Sequence, residues 1–246
     1  MTETKLPAPP VAAQRPQSST HHGITIEDPW AWLKDPGYPV VEDAEILAYL
    51  EAENAYFEAA MAPRAALVES LFEEMKARLK PDDASVPQKD GDWLTWWAFR
   101  PEGQYRVWYR RPVAGGADRI VLGEPAEAEG RDYFRLQALT ISPDGRFAAW
   151  SADNDGSERF TLKVRDLETG EDIETVSAVA NGAVVWSADS RGLAFTEVND
   201  NWRTYRARYH RLGEDPAAAR TLYEEADPGF NVGVGRTQDR SWIIVS

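Results

Sequence analysis

The residues needed for hydrolysis do not form a complete set in this sequence. A serine hydrolase needs a nucleophile on a strained turn, commonly G-x-S-x-G, with a histidine base and an acid that orients it. No G-x-S-x-G occurs, cysteine is absent, and the three histidines are His21, His22 and His210. The sequence pairs none of them with a nucleophile, so we expect a structural or solvent-facing role for each. We assign no catalytic residue to this chain.

Metal-binding spacings are equally weak. Adjacent His21 and His22 point to opposite sides if the chain is extended there, and no H-E-x-x-H spacing appears. The segment Asp153-Asn154-Asp155-Gly156 is similar to a calcium loop, but the pattern then puts Ser151 first and Leu162 twelfth, where a bidentate glutamate is needed. We expect a hairpin turn at this segment and assign no metal ligand.

Carboxylates and glycines offer two further possibilities. Paired carboxylates can hydrolyse glycosides, but Asp144 and Asp189 fall in turns, where they are expected to accept backbone hydrogen bonds as local caps. A glycosidase is therefore the weakest alternative, because it needs two facing carboxylates in a central funnel. The glycine-rich segment 229–235 precedes no predicted helix, so it is not expected to cradle a phosphate, and we assign no cofactor.

Composition limits the classes of partner. The 246 residues are 43% hydrophobic and 11% aromatic, with a formal charge of -14. This allows a substantial core, argues against a nucleic-acid partner, and suits either a solvated surface or the attraction of cationic substrates. The N-terminus has no apolar signal segment and no later run is long enough to span a bilayer. We expect no membrane partner and a cytoplasmic location.

The N-terminal third is predicted to contain two helices. Residues 1–20 are expected to be a flexible lead, and residues 21–82 a strap with two tryptophans followed by the helices. The first helix is predicted between Glu42 and Met61. The second is predicted to open at Pro63 and to end at Lys80-Pro81, with an apolar face at i, i+3, i+4, i+7 and i+11. That face comprises Val68, Leu71, Phe72, Met75 and Leu79.

A strand-turn-strand unit recurs through residues 83–246. Its turns contain Asp90, Asp144, Asp189 and Asp239, which are 54, 45 and 50 residues apart. These spacings are typical of propeller blades, and each repeat supplies four candidate strands. The fold class predicted is mainly β, with about three and a half blades of a propeller after the strap and helices. The blades are expected at about 85–125, 133–178 and 183–226, and a fourth begins at 229–246.

The order of these segments resembles the prolyl oligopeptidase family, and within it most closely oligopeptidase B, also called protease II. The strap and the first helix carry the more specific part of the resemblance, since the S-P-D-G and W-S-x-D turns occur in many propellers. The supporting segments are D-P-W-A-W-L-K-D-P at 28–36, E-N-A-Y at 53–56, F-R-P-E-G-Q-Y at 99–105, R-D-L-E-T-G at 165–170 and L-Y-E-E at 222–225.

The resemblance implies a larger enzyme. In that family a seven-bladed propeller covers a C-terminal α/β-hydrolase domain that carries the Ser-Asp-His triad, and oligopeptidase B members cut short peptides after Arg or Lys. We therefore expect this chain to be an N-terminal part, inactive alone, whose partners are the hydrolase domain, the remaining blades and short basic peptides. The alternative from the residues alone is a stand-alone propeller-like protein-interaction module without catalysis.

Overall fold

Strands dominate this computed structural model, which describes residues 7–38, 40–101 and 103–246. The chain divides into a first unit that ends at Lys80 and a second unit that starts at Pro81. The first unit contains strands β1 (Gln17–His21) and β2 (Ile24–Asp28) and helices α1 (Ala44–Met61) and α2 (Ala65–Ala77). The predominance of β structure agrees with the fold class predicted from the sequence.

Strands β1 and β2 form an antiparallel hairpin closed at His22-Gly23. The φ angle is 53° at His22 and 78° at Gly23, and at the second position glycine adopts this positive φ without strain. The prediction of a flexible lead through residue 20 is wrong for its last part. The amide of Arg15 donates to the carbonyl of Pro29 at 2.7 Å, and the indole of Trp32 donates to the carbonyl of Ala13 at 2.7 Å. These bonds and the hairpin ladder hold the segment, while residues 1–6 lie outside the described part.

The W-L-K-D-P segment organises the approach to α1 through Asp35. Its buried carboxylate accepts from the amides of Gly37, Glu42 and Asp43 at 2.7–3.0 Å. These bonds, that from Asp43 above all, lower the pKa of Asp35. Asp43 then caps α1 by accepting from Glu45 and Ile46 at 2.8 and 3.1 Å.

Helix α2 begins slightly later than predicted. Pro63 lies in a short 3-10 turn, Ala62–Arg64, and the α-helix starts at Ala65. A 3-10 turn satisfies part of the backbone at a helix junction, so the chain passes from α1 to α2 almost without interruption.

The second unit contains thirteen strands in the part that the structure describes. Its first sheet has the order β3-β4-β5-β6, its second β13-β12-β11-β10-β9-β8-β7, and the last pairs β14 with β15. A four-residue helix, α3 (Glu124–Glu127), follows β6. The strands are β3 (Gln88–Asp90), β4 (Trp93–Phe99), β5 (Arg106–Pro112), β6 (Arg119–Gly123), β7 (Arg135–Ile141), β8 (Phe147–Asp153), β9 (Phe160–Asp166), β10 (Asp172–Trp186), β11 (Gly192–Val198), β12 (Thr204–Arg211), β13 (Arg220–Glu224), β14 (Val234–Arg236) and β15 (Ile243–Val245).

Strand β10 is where the structure departs from the predicted strand list. The sequence predicts two strands, 172–176 and 183–186, but the structure has one continuous strand, Asp172–Trp186. Register shifts lie along it between Asp172 and Ala180 against β9, and between Ala180 and Val184 against β11. Bulges bend a strand without ending it, so β10 pairs with β9 along one part and with β11 along another. The group β7 to β10 and the group β10 to β13 therefore share β10 and form one seven-stranded sheet.

An ion-pair network ties α3 to the seven-stranded sheet through Arg165. The Arg165 guanidinium lies 2.6 Å from Glu127 and 2.7 Å from Asp172. Asp172 also accepts from the indole of the buried Trp150 at 3.1 Å and lies 3.3 Å from Lys163. Burial alone raises the pKa of Asp172, but the hydrogen bond and charge of Arg165, with smaller effects of Trp150 and Lys163, bring it below 3.8.

Replacing Arg165 with glutamine should destabilise the chain by about 2–3 kcal/mol at pH 7, because two partly buried carboxylates lose their cation. The folded-state pKa of Asp172 is depressed, so its contribution is fully present above about pH 3.8 and disappears as the pH falls through the folded value. Urea unfolding followed across pH should show a deficit that is constant near neutrality and shrinks in acid. The control is Arg111→Gln, whose exposed pair with Asp118 should cost under about 1 kcal/mol. Equal losses for the two variants would contradict the account.

Candidate functional site

The turn aspartates act as local caps, as the sequence predicts. Asp144 accepts from the hydroxyl of Ser142 at 2.6 Å and from the amide of Arg146 at 3.0 Å. Asp189 accepts equivalently from Ser187 and Arg191 at 2.6 and 3.1 Å. These bonds, that of Ser187 first, lower the pKa of Asp189. Carboxylates committed in this way stabilise turns and are poorly placed to act as a catalytic pair.

The three histidines are dispersed. His21 and His22 are exposed at the hairpin, whereas His210 is completely buried in β12. The Nε2 atom of His210 lies 2.9 Å from the carboxylate of Glu174, which also accepts from the amide of Gly213 at 3.2 Å. His210 therefore joins β12 to β10 and has a structural role.

The segment 153–156 forms a turn between β8 and β9. The buried carboxylate of Asp153 accepts from the amides of Asp155, Gly156 and Glu158 at 2.8–3.0 Å. Its oxygens thus point at the backbone of their own turn. Among the described residues, no group of three His, Cys, Asp or Glu side chains is placed to hold a metal ion. The glycine-rich segment 229–235 runs directly into β14, and Gly229 donates to Asp227 at 2.8 Å.

The first unit presents an extensive apolar surface on its two helices. Only Ile46 is buried on α1, and none of the residues of α2 is buried. Phe72 is 52% exposed and Met75 60% exposed. Exposed apolar side chains that recur on one side of a helix mark interaction sites more often than single exposed residues do. We call these residues together the helical apolar face; its members are Leu50 and Phe57 on α1, Leu67, Val68, Leu71, Phe72 and Met75 on α2, and Leu79 just after α2.

Charged side chains on α2 flank the helical apolar face. Lys76 pairs with Glu73 at 3.4 Å, and Arg78 pairs with Glu74 along the helix. Pairs at these spacings keep the polar side of a helix solvated. The result is an amphipathic helix. The charged residues of its polar side pair with each other, and the apolar residues of its other side are not buried by any other part of the first unit.

A cavity of about 400 Å³ lies between the first sheet of the second unit and the seven-stranded sheet. We call it the inter-sheet cavity. Strands β5 and β7, Phe134 just before β7 and the start of α3 supply its walls, which combine aromatic and aliphatic side chains with four polar ones. They are Arg106, Trp108, Glu124, Phe134, Arg135, Leu136, Gln137 and Leu139.

The sequence gives only one local sign of the inter-sheet cavity. Its residues come from three elements, and the polar ones follow no recognised spacing. The one local signal is the aromatic run before Arg106, since an arginine that follows Trp97 and Phe99 across a hairpin can stack on them. That signal predicts an arginine stacked on aromatic rings, but it does not predict that β7 and α3 form the other side of the cavity.

No helix among the described residues is both long enough and apolar enough to cross a lipid bilayer.

Comparisons with known proteins identify the family. The family model for "Prolyl oligopeptidase, N-terminal beta-propeller domain" matches residues 9–246. Dipeptidyl aminopeptidase BI of Pseudoxanthomonas mexicana is 32% identical, over 97% of this chain and 35% of that protein. Protease 2 of Moraxella lacunata is 27% identical, over 96% of this chain and 35% of that protein.

The fold comparison agrees with the sequence comparison. The structure of oligopeptidase B from Leishmania major has a TM-score of 0.81 at 21% identity, and the match covers 97% of this chain and 36% of that one. This chain therefore spans about a third of the length of the curated relatives that it matches. The predicted family and its propeller fold are confirmed, and this chain belongs to the prolyl oligopeptidase family, whose N-terminal β-propeller region it carries.

Proposed function

We propose that this chain is the substrate-filtering propeller part of an oligopeptidase B-like serine peptidase that cleaves short peptides after Arg or Lys. In this proposal catalysis belongs to an α/β-hydrolase domain outside these 246 residues, and a cytoplasmic location remains part of the proposal. The observation that carries it is the family match over residues 9–246, together with relatives named as peptidases that are about three times as long.

The helical apolar face supports the proposed partnership. Burying a half-exposed leucine or phenylalanine contributes roughly 1 kcal/mol or more, and the face offers eight apolar side chains. A hydrolase domain would supply the complementary apolar surface. The self-paired charges beside the face would then form the solvated rim that such interfaces have.

The propeller would act by limiting access. A ring of blades over an active site excludes folded proteins sterically and admits short or unstructured peptides. The chain's charge of -14 favours the approach of cationic peptides, which agrees with cleavage after Arg or Lys. A stand-alone interaction module is not favoured, because the family and the relatives are peptidases.

The proposal predicts that the purified chain does not hydrolyse an Arg-containing fluorogenic peptide. A chimera in which residues 9–246 replace the matched 35% of dipeptidyl aminopeptidase BI should hydrolyse a short peptide. The unmodified relative serves as the positive control, and circular dichroism checks that the chimera is folded. Turnover by the chain alone that a serine-directed inhibitor abolishes would contradict the proposal, as would a folded chimera without activity.

A further inference from the structure

The polar groups that line the inter-sheet cavity differ in how many hydrogen bonds or ion pairs they make with the rest of the protein. Glu124 is only 8% exposed and accepts from the indole of Trp108 at 2.7 Å. Gln137 donates to the side chain of Asn181 at 2.9 Å and accepts from the amide of Gly182 at 3.0 Å. Hydrogen bonds to the protein thus hold both the carboxylate and the amide in position.

The two arginines differ from each other. Arg135 pairs with Glu158 at 3.1 Å, so its charge is balanced. The guanidinium of Arg106 lies 4.6 Å from the ring centre of Trp97 and 5.9 Å from that of Phe99. Within residues 7–38, 40–101 and 103–246, no carboxylate pairs with Arg106. Arg106 is an exposed cation held against two aromatic rings, and its guanidinium donors make no hydrogen bond to the described residues.

This arrangement specifies the charge and shape of an occupant. The cavity wall carries two arginines, of which Arg135 is already paired with Glu158, and the carboxylate of Glu124. Arg106 is therefore the one unpaired cation among the described residues that line the cavity. A guanidinium recognises a planar carboxylate through two parallel hydrogen bonds. The fixed carboxylate of Glu124 would repel a second negative charge, which favours a singly charged carboxylate over a phosphate.

The rest of the cavity is apolar. Phe134, Leu136 and Leu139 form this part, and they can receive an aliphatic side chain beside the carboxylate. Its volume of about 400 Å³ lies in the range of small-ligand sites, roughly 300–1,000 Å³. A C-terminal residue of a peptide presents both features together, a single carboxylate next to an apolar side chain.

We propose that the inter-sheet cavity binds the free C-terminal carboxylate of short peptides that end in an aliphatic residue, with Arg106 as its principal ligand. This inference rests on the proposed function, because it specifies which class of short peptide the propeller binds. Peptides blocked at the C-terminus, and long chains whose terminus cannot reach the cavity, would lack this contact.

The test uses the purified 246-residue chain and two peptides, N-acetyl-Ala-Ala-Leu as the free acid and as the amide. Titrations followed by the indole NMR signals, with Trp108 identified through a Trp108→Phe variant, should show that the acid binds about ten-fold or more tightly than the amide. Arg106→Gln should remove that preference. Arg111→Gln is the matched control, since Arg111 lies on β5 like Arg106 and stacks on Trp96 of β4, but it does not line the cavity.

Three outcomes would overturn the proposal. The first is equal affinity for acid and amide, which needs no variant and therefore does not depend on how Arg106→Gln folds. The second is an equal loss in Arg106→Gln and Arg111→Gln, which would indicate general charge attraction. The third is competition by acetate at the peptide's own concentration, which would indicate an unselective anion site. If any of these outcomes is found while the chimera is active, the inference about the cavity is wrong and the proposed function stands. If the chain binds the acid selectively while the chimera is inactive, the proposed function is wrong and the inference about the cavity stands.

Discussion

Replacing Trp186 with alanine should lower the free energy of unfolding by about 3–5 kcal/mol, the range for loss of a large buried aromatic side chain. Trp186 is 2% exposed at the end of β10, and its ring stacks on Phe147 with centroids 6.4 Å apart. Its indole also donates to the carbonyl of Thr140 at 3.1 Å, which joins β10 to β7. A loss of this size is a large share of the roughly 5–15 kcal/mol that stabilises most domains.

Urea unfolding followed by circular dichroism measures this effect without depending on tryptophan fluorescence. Trp242→Ala is the control, because Trp242 is 70% exposed and should cost under about 1 kcal/mol. Similar losses for the two variants would show that Trp186 does not hold the sheet as the structure indicates.

Replacing Phe72 with aspartate should have little effect on the isolated chain and a large destabilising effect on the chimera. In the isolated chain Phe72 is half exposed on α2, so stability should change by about 0.5 kcal/mol or less. In the chimera the new charge would be buried against the hydrolase domain at a cost of about 2–4 kcal/mol, the magnitude of an interface hot spot. Thermal unfolding of both proteins, with peptidase activity of the chimera, measures the difference.

Ser70→Asp is the matched control for the charge. Ser70 lies two residues away on α2 and, at 100° per residue, on the side opposite Phe72. It should leave the chimera unchanged. If Phe72→Asp also leaves the chimera unchanged, the helical apolar face is not the docking surface.

Local patterns were enough to predict the parts of the fold that local chemistry determines. The turn at Asp144 is one such part, because its Ser-Pro-Asp-Gly residues are adjacent in sequence and Gly145 supplies the positive φ of 75° that the turn needs. Helix α2 is another, since its i, i+3, i+4 pattern needs no tertiary information. Such signals lie within a few residues of each other.

The features that the sequence did not predict depend on distant contacts. Strand β10 continues through Gly182 because bulges absorb the register change between its two partners, and no residue type announces a bulge. The pair His210 and Glu174 is 36 residues apart in sequence. Arg106 and Gln137 likewise line one cavity only because two sheets pack together. Neither set of residues has a spacing that a motif search could find.

The comparison of substrate sizes in the chimera tests the central claim most directly. The claim is that this chain filters substrates for a catalytic domain and does no chemistry itself. The measurement is kcat/KM for a short Arg-containing peptide and the rate of cleavage of a folded protein that carries the same Arg-containing sequence in an exposed loop, with the isolated chain assayed in parallel. We expect the chimera to hydrolyse the peptide and to leave the folded protein intact, and we expect no turnover by the chain alone. Comparable cleavage of the peptide and the folded protein, or inhibitor-sensitive turnover by the chain alone, would contradict the claim.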